Sequence, residues 1–236
     1  MSKEGIVLSD RTLKVLKNFN VINTCIIIDP GSLISTSREG SIFAWTTVDE
    51  EFPYRVPIFE LAQLVSVIQK CGDPRLEFQE QMVLIKSGKS RAKYKYTAFS
   101  IIEKKVQKLP FKSDKLPPGC KFVAKVTNEE VDRLKNLAAT LSLGVIEVVV
   151  KKGVAVLRAS KGKANENTFE IGLAKDVDLP NFRACIDLVK FVLIDDAYEI
   201  YVIPEKAIVF KGEKYKVNYL IMVDIEASNF EGGELE

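Results

Sequence analysis

The chain has no histidine among its 236 residues. The commonest general base and metal ligand is therefore missing, and neither a Ser-His-Asp nor a Cys-His arrangement can be assembled. Cysteine is sparse: Cys25, Cys71, Cys120 and Cys185 stand far apart, with no C-x-x-C pair. They read as reduced, mostly buried small hydrophobes. No apolar run reaches the ~18 residues that a membrane helix needs, and the opening MSKEGIVLSD is no signal peptide; a cytosolic protein with no membrane partner is expected. A strong charge of either sign is also lacking. The 34 basic and 32 acidic residues leave a formal net charge of +2, so any basic surface must arise from local arrangement. What the chain does have is a 47% apolar composition, enough for a sizeable core, and a length that suits one large domain or two ordinary ones.

Two phrases decide between those. LKNF at Leu16–Phe19 returns as LKNL at Leu134–Leu137, half a chain later. After the first come an apolar run IIID, a turn at Pro30-Gly31 and SLISTS; after the second come VIEVVV, a turn at Lys152-Gly153 and VAVLRAS. Both read as helix, strand, glycine turn, strand. Ser9 is the predicted N-cap of the first helix, whose apolar residues Leu13, Leu16 and Phe19 recur at helical spacing. Thr127 with Glu130 is a capping-box pattern for the later helix, whose stripe is Val131, Leu134, Ala138 and Leu141. The match continues. Val56–Lys70 reads as a second amphipathic helix followed by three strands, and Phe182–Leu193 as a fourth helix followed by YEIYVI and AIVFKGEKYKVNYLIMVDI. MVLIKSG and AIVFKG occupy the same place in the two halves. Between the halves lies a Pro-rich, lysine-rich stretch, Glu103–Gly119, of the composition that makes an extended linker. The reading is an α+β chain of two tandem domains, residues 1–102 and 120–236, joined by a linker at 103–119. Each domain holds two helix-plus-antiparallel-strand units, and the second ends in a short acidic tail.

The motifs that suggest chemistry have plainer readings. GKS within Lys86–Ser90 resembles the end of a phosphate-binding loop, but Val83 stands where that motif needs its first glycine; a hairpin turn is expected. Asp195-Asp196 has the form of paired Mg²⁺ ligands, with no other acid near in sequence, and reads as a turn. Asp49-Glu50-Glu51 reads as a solvated loop. No active site, cofactor or metal site is expected, and the chain does not read as an enzyme.

If each helix buries its apolar stripe, the opposite face is free. Those faces offer Arg11, Lys14 and Lys17 on the first helix, Lys70 on the second, Arg133 and Lys135 on the third and Lys190 on the fourth. Short polar groups lie between them. Moderate positive charge with few aromatics suits a surface that slides over phosphates without reading bases.

The stretch SDRTLKVLKNFNVIN (Ser9–Asn23), the phrases FKGE (Phe210–Glu213) and NY (Asn218-Tyr219), and the two-domain repeat resemble the sliding clamps of T-even-type bacteriophages, the processivity factors of the replicative DNA polymerase. The resemblance covers nearly the whole chain. It implies two processivity-fold (DNA clamp) domains per chain and a homotrimeric ring that encircles double-stranded DNA without sequence preference, with helices on its inner face and sheets outside. It implies a clamp loader ATPase that opens the ring, a polymerase held by a short C-terminal peptide, and a further role in late transcription. It places the protein in the cytoplasm of a bacterial host. Lys17 falls within the matched KNF phrase. Asn136 and Ala139 stand where the family carries basic residues, and the chain is slightly basic where the family is acidic. Leu109 and Phe111 in the linker are the candidates for an apolar partner-binding patch. KYKYTAF (Lys93–Phe99) is the candidate edge for pairing between copies. Two rivals remain open: a non-catalytic β-rich phage accessory scaffold that binds proteins but not DNA, and an enzyme built on Asp195, Asp196 and a metal.

Overall fold

The computed structural model describes residues 5–106, 108–111, 115–162 and 167–230. The acidic tail after residue 230 and linker residues 107 and 112–114 lie outside that set. Contacts divide the chain into two units, Met1–Asp114 and Lys115–Glu236, a division that falls inside the predicted linker.

The first unit opens with α1 (Asp10–Ile22), and the Ser9 side chain accepts from the Thr12 N–H as its N-cap. Thr12, Val15, Leu16 and Phe19 are buried, while Leu13 is only half-buried. Strands β1 (Ile26–Asp29), β2 (Ser32–Thr36), β3 (Ile42–Thr47) and β4 (Val56–Ile58) pair antiparallel in the order β4-β1-β2-β3. The β1–β2 turn uses Gly31 at φ +74°, a left-handed conformation that costs glycine nothing. The expected helix over Val56–Lys70 is shorter than predicted. Val56–Ile58 is a strand, because Pro57 disfavours the helical conformation at Val56, and α2 is Leu61–Lys70. It buries Leu61, Leu64, Val65 and Ile68 and exposes Gln63, Ser66 and Lys70. Strands β5 (Arg75–Gln79), β6 (Met82–Ser87) and β7 (Ser90–Lys95) follow in the order β5-β6-β7. The GKS phrase is the β6–β7 hairpin, with Gly88 at φ +54°. KYKYTAF is strand only as far as Lys95, and Phe99 begins the short helix α3 (Phe99–Ile102).

The second unit repeats the plan. It contains β8 (Lys121–Val126), α4 (Asn128–Thr140), β9 (Val145–Lys151), β10 (Val154–Ser160), β11 (Phe169–Ala174), β12 (Phe182–Asp187), β13 (Tyr198–Ile203), β14 (Ala207–Gly212) and β15 (Asn218–Met222). One sheet runs β11-β10-β9-β12; the other runs β8-β13-β14-β15. The Thr127–Glu130 capping box of α4 forms in full. The fourth helix does not. Phe182–Asp187 is strand β12, in register with Val150–Val145 of β9, and only the single 3-10 turn Leu188–Lys190 follows it. A strand there supplies hydrogen bonds to the free side of β9, and Phe182, Cys185 and Ile186 suit a pleated, buried surface better than a helix.

Two acidic stretches read from sequence as turn or solvated loop hold backbone in place. Asp196 is only 2% exposed and accepts from the N–H groups of Ala197, Lys214 and Tyr215, each at 2.8 Å. Glu50 is not solvated: it is buried against the start of α1. It accepts from the Ser9 N–H at 2.8 Å, the Ser9 hydroxyl at 2.9 Å and the Thr12 hydroxyl at 2.8 Å. Burial alone would raise the Glu50 pKa; the bonds from Ser9 and Thr12 outweigh it, and the carboxyl titrates below its ordinary range. A carboxylate at a helix N-terminus also meets the positive end of the helix dipole.

Candidate nucleic-acid interface and partner groove

The seven candidate cations divide by exposure. Lys17 on α1, Lys70 at the last turn of α2 and Arg133 on α4 are exposed. Their helices are fixed by buried stripes, so these side chains point away from the core by the 3.6-residue period. Arg133 lies over the Phe169 ring, its guanidinium carbon 5.6 Å from the ring centre, which supports the stem without removing the charge from solvent. Lys14 is half-buried.

The other three are drawn into the protein surface. Arg11 Nη2 donates to the Thr46 hydroxyl at 3.0 Å and to the Thr47 carbonyl at 2.9 Å, tying α1 to β3. Lys135 is half-buried, and its Nζ donates to the Leu193 carbonyl at 2.8 Å. Burial lowers its pKa, partly opposed by the nearby charges of Asp195 and Asp132. The solvent-facing placement read from sequence is thus corrected for Lys135, whose flexible stem reaches round the helix to the Leu193 carbonyl. Lys190 sits on the 3-10 turn, not on a helix, 3.6 Å from the Asp187 carboxylate. The polar face of α4 is completed by the exposed Asn136, Ala139 and Thr140. This is a surface of sparse cations among small neutral groups.

Leu109 and Phe111 lie on the opposite kind of surface. Both are half-buried, and the Phe111 ring meets fully buried Trp45 of β3 edge-on, with centroids 4.9 Å apart. With Ile27, Ile34 and Val106 they line an open groove of about 590 Å³ in the first unit. Its rim carries Arg38, Arg55, Lys104 and Lys108, with Asp29 and Glu103. Sequence reading found the two linker residues because apolar side chains in a charged, proline-rich stretch stand out. It missed Arg38 and Arg55, which come from distant loops and bear no local signal. The linker wall is anchored by Asn23, the C-cap residue of α1. Its Nδ2 donates to the carbonyls of Lys105 at 2.9 Å and Thr36 at 2.8 Å.

No family model matches the chain. It is 27% identical over 203 residues to the sliding clamp of Vibrio phage KVP40, an alignment that covers 84% of this chain and 90% of that protein. Among solved structures, PCNA from Thermococcus kodakaraensis matches with a TM-score of 0.66 at 12% identity, over 93% of this chain and 99% of that one. The Helicobacter pylori β clamp bound to a DNA ligase peptide matches with a TM-score of 0.61 at 13% identity, over 94% of this chain and 65% of that one. The chain therefore spans about two thirds of the β clamp's length and nearly all of the PCNA's. The fold is that of the DNA sliding clamps. More narrowly, the chain is similar over most of its length to a phage sliding clamp.

Proposed function

We propose that this protein is a DNA sliding clamp: copies of the chain close into a ring around duplex DNA, hold a replicative polymerase on its template and perform no chemistry themselves. The observation that carries this reading is the two-fold use of the clamp domain plan over nearly the full length of a phage clamp homologue. The sparse cations of α1, α2 and α4 suit it. A ring is retained by topology, so its phosphate contacts need only be weak and salt-sensitive; strong ones would brake sliding.

Ring closure needs two different edges on each copy, because the contact is head-to-tail. Strand β7 ends the sheet β5-β6-β7 of the first unit, and β11 ends the sheet β11-β10-β9-β12 of the second. The β7 edge carries exposed Arg91, Lys93 and Lys95, and β11 carries exposed Glu170. Antiparallel pairing of β7 with β11 of the next copy closes a ring, and three copies is the number that the phage clamp resemblance implies. A polymerase peptide docks at the Leu109–Phe111 groove in this reading, as a DNA ligase peptide is bound to the H. pylori β clamp. A clamp loader ATPase and late-transcription proteins are the further partners expected.

Sedimentation equilibrium over a wide concentration range tests the assembly. A mass of three chains is expected. A monomer at every concentration, with and without DNA, contradicts the ring.

A further inference from the structure

We infer that two short segments, residues 5–6 and 224–230, each cover one edge of a sheet through which copies join, and so decide which strands of two copies can meet. This deepens the proposed assembly and rests on its closure through β7 and β11.

Every open sheet has two edges, and each is a template for a further strand. In β5-β6-β7 they are β5 and β7; in β11-β10-β9-β12 they are β11 and β12. Pairing of β7 with β11 is head-to-tail. An open β5 or β12 would instead pair with the same edge of a second copy, a two-fold contact that ends growth at a dimer. The chain covers both of these. On β5, the Ile6 N–H donates to the Leu76 carbonyl at 2.8 Å and the Leu76 N–H donates back at 2.7 Å. Gly5 allows that approach, since a Cβ there would stand 3.1 Å from the Arg75 Cβ and 3.2 Å from the Leu76 carbonyl oxygen. On β12, the N–H and carbonyl of Arg183 exchange bonds with Asn229, both at 2.7 Å. The Cys185 N–H donates to the Ser228 hydroxyl at 2.9 Å, and the Cys185 carbonyl accepts from the Asp224 N–H at 2.8 Å. All four outward backbone groups of Arg183 and Cys185 are thus satisfied. The rings of Phe182 and Phe230 stack with centroids 5.9 Å apart, and Arg183 Nη2 donates to the Ala227 carbonyl at 2.9 Å, which pins the cover in place.

Neither cover presents a fresh edge. A regular strand would only move the exposed edge outward. Residues 224–230 turn at 225–227 and use the Ser228 side chain where a strand would use its backbone. Residues 5–6 make a single bridge before the chain enters α1. Among the described residues, nothing pairs with the outer side of β7 or β11. Those two edges are sorted by charge instead. Exposed Arg91, Lys93 and Lys95 repel a second β7, and exposed Glu170 of β11 attracts them.

The test compares the full-length protein with three variants by sedimentation velocity over a range of concentration. Asn229→Pro/Phe230→Ser removes the donor to the Arg183 carbonyl and the ring stacked on Phe182. Gly5→Val forces the first cover away from Leu76. Asn229→Ala keeps the backbone bonds and serves as the control. Faster hydrogen exchange at the Arg183 and Cys185 amides, or at Leu76 for Gly5→Val, reports that an edge is uncovered. The expected result is a species heavier than the wild-type assembly in both uncovered variants, growing with concentration while circular dichroism stays native, and no such species in Asn229→Ala. Uncovered amides without a heavier species overturn the inference, and so does a heavier species that forms equally in the control. If the wild type has a mass of three chains and the uncovered variants match it, the ring stands and the inference fails. If the wild type is a monomer at every concentration while the uncovered variants associate, the covering role stands and the ring reading fails.

Discussion

Glu50 shows how much a single carboxylate does for the first helix. It joins three hydrogen bonds at the start of α1, from a backbone N–H and two hydroxyls 38 to 41 positions away in sequence. Glu50→Gln keeps the shape but loses the charge that strengthens those bonds, and charge-assisted bonds of this kind are worth about 1.5–3 kcal/mol. A loss of about 2 kcal/mol in unfolding free energy at neutral pH is expected from urea denaturation. The pH dependence follows from the lowered pKa. A carboxyl that titrates lower when folded stabilises the protein above its unfolded pKa, and that stability disappears as pH falls through the folded value. The gap between wild type and Glu50→Gln should therefore be widest near neutrality and close below about pH 4. A gap that is constant with pH contradicts the assignment. None of this was legible in Asp49-Glu50-Glu51, since a run of acids looks solvated until the chain brings a helix start to it. The same holds for Asp196, whose three backbone donors include Lys214 and Tyr215 from a different loop.

At the scale of elements, what was legible depended on local chemistry. Helices α1 and α4 were marked by Ser9 and by the Thr127–Glu130 box, and the hairpins by Gly31, Gly88 and Gly153. The strand β12 was misread as a helix because its apolar residues fit either period over so short a span; the demand of β9 for a second neighbour settled it. The edge of β7 carries a sharper expectation. The Tyr96 N–H bonds to the Gln81 carbonyl. Antiparallel alternation along the register Lys93↔Leu84 and Tyr94↔Val83 then turns the Tyr94 N–H toward β6 and the Lys93 N–H outward. Lys93→Pro removes an outward donor while keeping the hairpin bonds, and proline is tolerated on an edge strand. Unchanged circular dichroism with loss of the multi-chain species in sedimentation is the expected outcome. A full-size assembly in this variant shows that β7 is not the closing edge.

For the whole molecule, the repeat explains why one sequence phrase occurs twice, once in α1 and once in α4. The first unit has two long helices, α1 and α2, where the second has α4 and then a strand and a 3-10 turn. In the proposed reading, the sparse exposed cations of α1, α2 and α4 leave retention on DNA to encirclement and not to tight binding. Lys14→Glu/Lys17→Glu reverses charge on the α1 face. It should lower processive synthesis at moderate salt by about tenfold while leaving the melting temperature within a few degrees, since surface changes rarely cost more than about 0.5 kcal/mol. Unchanged processivity moves the DNA-facing surface away from α1.

Encirclement itself has one decisive test. Labelled protein is placed on a nicked circular DNA by a phage clamp loader, separated from free protein, and the DNA is then cut once. The account predicts that the protein stays on the intact circle through a wash at about 0.5 M salt, where phosphate contacts are screened, and runs off within minutes of linearisation. Loss from circle and linear DNA at the same rate, or retention on both, contradicts a sliding ring.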